Sequence, residues 1–239
     1  MTYIFLVAGK GSRLHPLTLA TPKSLYKLDK NTTVLQRMIR IIEKCDTQAK
    51  FVVVGGFLFD NIKKELEDVS NIEYVFNPFY EVTNSIASLW FAKEYLNEDV
   101  VILNGDIVME KKLICDVVCR STSKPMVLID SSVKNDGDYN VQVLGDRVLV
   151  MSKNLDKYFG EYAGVTKLDN ESAHMLREEI EYMLSEGMYD QWYENALVQL
   201  IFDDAFKLFF EDIGAYKWTE VDSVSDMLLA KTIHNDING

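Results

Sequence analysis

Ala8-Gly9-Lys10-Gly11-Ser12-Arg13-Leu14-His15-Pro16-Leu17-Thr18, with Thr21-Pro22-Lys23 close behind, opens where a short apolar run of strand character, Tyr3 to Ala8, ends. The two glycines let several backbone N–H groups approach phosphate oxygens with no side chain between, and Arg13 and Lys23 add positive charge, so the stretch reads as an anion cradle. It is neither of the two commoner glycine loops. A dinucleotide fingerprint needs glycine where Leu14 stands, and a P-loop needs Gly-Lys-Ser/Thr after four intervening residues.

Outward from the loop, short apolar runs alternate with helix-period segments, the pattern of β-α units feeding a mostly parallel sheet. Phe51 to Val54, Ile72 to Phe76 and Val100 to Leu103 are the next strands. Between the first two strands, Leu35, Met38, Ile39 and Ile42 recur at helical spacing behind a capping box of Thr33 and Gln36. Further helices are expected from Asp60 to about Asp68 and from Asn84 to Leu96. Beyond residue 125, Met126 to Asp130, Val141 to Leu144, Arg147 to Met151 and Tyr162 to Lys167 read as strands, with turns at Asp136-Gly137 and Gly145-Asp146 that add antiparallel pairing. Helical pattern returns at Glu171 to Leu184, at Trp192 to Phe202 and after Ser223, where Ser223 and Asp226 form a second capping box. The fold class is therefore α/β. The 239 residues, 48% of them apolar, suffice for one core, and no repeat or linker divides them, so a single domain spanning 1–239 is expected.

The string G-x-G-S-R-L-x-P-L-T followed by x-P-K resembles the signature of the nucleoside-diphosphate-sugar pyrophosphorylase family of nucleotidyltransferases. Val75-Phe76-Asn77, Asn84-Ser85-Ile86-Ala87-Ser88-Leu89 and Glu220-Val221-Asp222-Ser223 are similar to its bacterial choline-phosphate cytidylyltransferase branch. The resemblance covers nearly the whole chain and is densest in the first 110 residues. It implies a Rossmann-like, mixed central sheet flanked by helices, with a nucleotide-binding half at 1–110 and an acceptor-binding half at 111–239. It also implies that Ala8, Gly9, Gly11, Ser12 and Arg13 wrap the triphosphate and that Lys23 contacts phosphate at the reacting centre. Base recognition would fall to Gly56, with its neighbour Gly55, and to Asn77, Asn84, Ser85 and Ser88; the asparagine and serines can equally serve as helix caps.

Asp106 follows Val100 to Leu103 through Asn104-Gly105, just past the carboxyl end of a strand, where open α/β sheets place their ligands. Asp222 follows the β-like segment Tyr216 to Val221 and precedes the last helix, so a helix-capping role is its alternative. In the resembling family, aspartates at these two positions share one Mg2+. The implied catalytic set is Arg13, Lys23, Asp106 and Asp222. A triphosphate carries about four negative charges and an attacking phosphate roughly two more, so a metal and a lysine are needed to offset repulsion. The implied reaction is in-line attack of an acceptor phosphate on the α-phosphorus of CTP with loss of pyrophosphate. No nucleophilic side chain is needed, and His15, His174 and His234 fall in no triad or metal spacing.

For the acceptor, Lys153 aligns with a lysine that binds acceptor phosphate in many relatives, and Glu161 with a position that touches acceptor polar groups. Tyr189, Asp190, Trp192, Tyr193 and Glu194 form an aromatic and acidic cluster suited to an ammonium group; the alternative is the start of an amphipathic helix. The choline branch carries a tryptophan where this chain reads Asp138-Tyr139-Asn140. Choline phosphate, ethanolamine phosphate, an aminophosphonate, a phosphorylated amino acid amide and a sugar 1-phosphate therefore all stay open. The competing readings are a sugar-1-phosphate uridylyl- or thymidylyltransferase and a non-catalytic nucleotide-binding module.

The formal charge of -12 argues against nucleic-acid or anionic-membrane partners, which require excess basic surface. The apolar run near residue 1 is six residues long with no basic region ahead of it, and no run approaches a membrane span, so a cytoplasmic protein is expected. Cys45, Cys115 and Cys119 are expected as buried free thiols.

Overall fold

The computed structural model describes residues 1–11, 20–132, 139–203 and 206–236. In chain order the elements are β1 (Thr2–Val7), α1 (Val34–Cys45), β2 (Lys50–Gly55), α2 (Phe59–Glu65), β3 (Ile72–Phe76), α3 (Ser85–Phe91), β4 (Val100–Asn104), β5 (Ile107–Met109) and α4 (Lys111–Leu113, continued by a π-helical turn Ile114–Val118). Then come β6 (Met126–Asp130), β7 (Asn140–Leu144), β8 (Arg147–Ser152), β9 (Gly160–Leu168), α5 (Asn170–Ser185), α6 (Glu194–Phe202), β10 (Phe209–Asp212), β11 (Trp218–Glu220) and α7 (Val224–Asn235).

One mixed sheet runs β3-β2-β1-β4-β9-β6-β10-β8-β7. The first four strands are parallel, β9 is antiparallel to both β4 and β6, and β7 and β8 close a hairpin at Gly145, whose φ of 62° only glycine adopts without cost. Helices on both faces explain why the parallel strands read as continuous apolar runs. Alternate residues serve opposite cores: Ile4, Val52 and Ile102 pack with Ile86, Leu176 and Leu197 on one face, while Phe5, Val53 and Leu103 pack with Leu35, Ile39 and Ile62 on the other. The mixed α/β class expected from the sequence is the one observed. No described helix is long and apolar enough to cross a membrane.

The capping boxes Thr33/Gln36 and Ser223/Asp226 are both formed. Three expectations need correction. The helix expected to reach Leu96 ends at Phe91, because Ala92 bonds back to Leu89 in a tighter turn, and a 3-10 turn at Lys93–Tyr95 then drives Leu96 into the core. The second helix ends at Glu65 rather than near Asp68. Cys45 and Cys115 are joined as a disulfide with Cα atoms 5.3 Å apart, leaving Cys119 as the free thiol. The four-residue spacing of Cys115 and Cys119 is visible locally; the packing of the end of α1 against the π-helical turn, 70 positions away, is not.

Two short strands build the site: β5, which the sequence reading lacks, and β11, which lies inside the β-like segment Tyr216 to Val221. They form a separate antiparallel ribbon with Glu220 opposite Ile107, and the Val221 N–H donates to the Asp106 carbonyl at 3.0 Å. That ribbon carries Asp222 to Asp106 across 116 positions of sequence.

Candidate active site

Lys23 begins a 3-10 turn whose N-cap is Pro22. Its ammonium donates to Asp106 Oδ2 at 2.7 Å and to Asp222 Oδ1, with only 11% of the side chain exposed. Burial works against its charge, but the facing carboxylates of Asp106 and Asp222 outweigh that and hold the pKa above the ordinary lysine value. Glu220 joins them: carboxylate oxygens of Asp106, Glu220 and Asp222 all lie within 4.8 Å of one another. An all-oxygen donor set of this span fits Mg2+, which takes one or two carboxylates beside phosphate oxygens and water. The capping alternative for Asp222 is answered by Ser223, whose hydroxyl accepts the Asp226 N–H; the Asp222 carboxylate faces Lys23 instead.

Beside this cluster lies a cleft of about 350 Å³ walled by Ala8, Gly9, Gly11, Lys23, Asn84, Ser85, Ser88, Asp106 and Trp192, all of them expected at the site. Gly11 has φ 63°. Ser12, Arg13 and His15 lie outside the described residues. Gly105, next to Asp106, is fixed by contact: an added Cβ would sit 2.0 Å from Val7 Cγ1, a stiff branched side chain in β1. Gly105→Ala is expected to cost about 1–3 kcal/mol of stability in urea unfolding, and to displace Asp106 as the backbone gives way.

Other expected residues sit elsewhere. Asn77 is fully buried, donating to Thr83 and Ser88 hydroxyls and accepting from the Phe79 N–H, so it braces the loop behind the cleft rather than lining it. Gly56 packs against Tyr80, whose Cβ would lie 2.5 Å from a Cβ added there; Tyr80, and not Gly56, lines the cleft. Asn84 caps α3 by accepting the Ser85 N–H, and the Ser85 hydroxyl accepts the Tyr193 N–H. Glu161 precedes Tyr162 on β9; Tyr162 faces the cleft, so strand alternation turns Glu161 away. Tyr189 and Asp190 are exposed and off the cleft, since their backbone runs along the start of α3, where the Tyr189 carbonyl accepts the Asn84 N–H. Lys153 is exposed, with its ammonium 3.7 Å from the centre of the Trp192 ring.

The end of the cleft at Trp192 is also lined by Glu194, a member of the expected aromatic and acidic cluster, and by Tyr139 and Tyr162, which lie outside the expected set. Tyr139 donates to Asn195 Oδ1 at 2.6 Å, and the hydroxyls of Tyr162, Thr166 and Tyr193 form a buried cluster. Glu194, 5% exposed at the start of α6, has no cationic partner among the described residues, and burial pushes its carboxyl up to about 7. Its place in the aromatic and acidic cluster was the available signal; which acid of that cluster turns inward depends on where α6 begins.

Residues 2–138 match the family described as nucleotidyl transferase. The chain is 32% identical over 114 residues to the CTP:phosphoglutamine cytidylyltransferase of Campylobacter jejuni, covering 45% of this chain and 44% of that protein. It is 26% identical over 231 residues to the choline-phosphate cytidylyltransferase of Streptococcus pneumoniae, covering 95% of each. The solved structure of the CTP:phosphocholine cytidylyltransferase from Streptococcus pneumoniae superposes with a TM-score of 0.78 at 22% identity, covering 98% of both chains. The matched segment spans only 26% to 44% of the length of the first curated relatives.

Proposed function

We propose, since the chain belongs to the nucleotidyl transferase family, that it is an enzyme transferring the cytidylyl group of CTP to a small phosphorylated acceptor that bears a cationic amine. The observation that carries this reading is the convergence of Lys23, Asp106, Glu220 and Asp222 at the edge of the cleft walled by Gly9 and Gly11. In the proposed reaction an ionised oxygen of the acceptor phosphate attacks the α-phosphorus, the bond to the β-phosphate oxygen breaks, and pyrophosphate leaves with the electron pair. A phosphate oxygen is already ionised at neutral pH, so no general base is needed and positioning with charge stabilisation dominates.

The glycine backbone, with Ser12 and Arg13, cradles the triphosphate; the start of α3, through Asn84, Ser85 and Ser88, faces the base; Lys23 binds phosphate at the reacting centre. Asp106, Glu220 and Asp222 would hold Mg2+, which when bound neutralises phosphate charge. At the far end, Glu194 offers a buried carboxylate beside the rings of Tyr139, Tyr162 and Trp192, a setting that favours an ammonium group. The relatives' cytidylyltransferase names support CTP.

Pyrophosphate release with Mg2+ tests the reading: CTP, UTP, dTTP, ATP and GTP are each paired with choline phosphate, ethanolamine phosphate, glutamine phosphate and glucose 1-phosphate. Release with CTP and an amine-bearing acceptor is expected. Release only with UTP or dTTP and glucose 1-phosphate would replace the reading by a sugar-1-phosphate transferase, and no nucleotide binding at all would remove it.

Glu194 gives the acceptor a pH signature. Its folded value of about 7 stands above the usual 4.5, so the folded chain holds this proton more tightly than the unfolded one. Its contribution to stability is therefore greatest below pH 4.5 and is lost as pH rises to 7, about 3 kcal/mol across the window. A cation needs the ionised form, so the KM of a cationic acceptor should fall about tenfold between pH 6 and pH 8. Subtracting the profile of Glu194→Gln cancels the acceptor's own titration; identical profiles in the two proteins would release Glu194 from acceptor binding.

A further inference from the structure

The Lys23 ammonium lies in the seat that the carboxylates offer to a metal. It bonds Asp106 Oδ2 and Asp222 Oδ1 together, two of the three groups that converge there. A Mg2+ ion bound to those same oxygens needs them at about 2.0–2.1 Å and would take the space that the ammonium holds. Lys23 is also the group that the proposed reaction needs on phosphate. One side chain is thus drawn to two places, and a triphosphate decides between them.

We infer that Lys23 is a resident cation of the Asp106–Asp222 seat, so that a divalent metal enters it only together with a triphosphate that draws the lysine away. Without nucleotide, the ammonium compensates the carboxylates and excludes free metal. When a triphosphate lies along the glycine loop, its oxygens outcompete carboxylates that the arriving metal now neutralises, and the lysine changes partners. No covalent bond is made or broken in the exchange: the salt bridges of Lys23 to Asp106 and Asp222 are traded for a phosphate contact, and the two released carboxylates become metal ligands. By linkage, whatever affinity for metal is gained on nucleotide binding is gained for nucleotide on metal binding. The device holds the seat closed to free divalent cations and ties its filling to the substrate. The reasoning rests on the transferase reading, but its first test needs no turnover and no acceptor.

The experiment is calorimetric titration of Mn2+ into nucleotide-free protein, comparing wild type with Lys23→Met, Lys23→Gln and the surface control Lys64→Met, each checked for cooperative thermal unfolding. The two Lys23 variants are expected to bind Mn2+ at least about tenfold tighter than wild type, since a like charge has left the seat, while the control stays within about twofold. With CTP present the order should reverse, wild type binding the metal–nucleotide pair more tightly. Equal Mn2+ affinity in wild type and both variants, or an equal gain in the control, overturns the inference. Should neither Lys23 variant fold, 13C NMR of ε-labelled lysine in wild type decides, with the Lys23 signal identified by its loss in Lys23→Arg. Millimolar Mg2+ alone should leave that signal in place, and Mg2+ with CTP should move it; movement by Mg2+ alone overturns the inference. Failure of CTP to bind at all would instead strike the transferase reading, leaving the metal-only comparison intact.

Discussion

Asp222→Asn is expected to lower acceptor-dependent pyrophosphate release by about a thousandfold or more, the largest effect of any single substitution in this chain. The substitution keeps the shape of the side chain and removes its charge. If this carboxylate holds Mg2+ against the phosphates, about 4 kcal/mol of charge stabilisation goes with it, and that converts to roughly three orders of magnitude in rate. The asparagine also weakens the anchor of Lys23, so metal and lysine lose position together. The comparison that gives the result meaning is Ser223→Ala, one residue on. Ser223 caps α7 by accepting the Asp226 N–H, and its loss should cost about 1 kcal/mol of stability with a rate change of less than about threefold. If Asp222→Asn behaved like Ser223→Ala, with reduced stability and near-normal turnover, Asp222 would belong to the helix terminus and the proposed metal seat would lose a member. Raising Mg2+ tenfold should recover part of the Asp222→Asn rate, because the defect is in holding the ion.

What the sequence makes legible follows its local periodicities. β1, β2, β3 and β4 each alternate between two cores, so they are recognisable from a few residues, and the glycine loop announces itself by composition. Asp106 is readable for the same reason, standing at the end of such a strand. Glu220 is not: the segment Tyr216 to Val221 reads as β-like, but its pairing with the three-residue strand Ile107-Val108-Met109, which brings Glu220 to Asp106, has no local signal. On the side proposed for the acceptor, single-residue parity decides which group is presented: Glu161 and Tyr162 are neighbours on β9, and only one can face the cleft. A resemblance that identifies the segment leaves that parity to the register of β9 against β7 and β6. The same holds for Asp190 and Glu194, separated by the three residues over which the chain turns into α6. Cys45 and Cys115 illustrate the long-range limit, brought together by two helical segments meeting on one face of the sheet.

Lys23→Ala is expected to slow turnover by about ten- to a hundredfold at least, the equivalent of a charged hydrogen bond worth about 1.5–3 kcal/mol. The split between kinetic parameters is the sharper prediction. A lysine that touched phosphate equally in ground and transition states would raise the KM for CTP and leave kcat alone. A lysine that meets charge developing on the reacting phosphates lowers kcat and kcat/KM together. The short reach from Lys23 to Asp106 places it at the carboxylate end of the cleft, away from the start of α3 where the base is proposed to lie, which favours the second outcome. Lys23→Arg should rescue little, because a planar guanidinium cannot take the place of a compact ammonium between two carboxylates. Metal-free Lys23→Ala should also melt below wild type, with Asp106 and Asp222 left facing one another, and Mg2+ should restore more stability to the variant than to wild type. An unchanged rate in Lys23→Ala would take the residue out of the chemistry, and the glycine loop, Arg13 and the carboxylates would then have to supply the charge stabilisation between them.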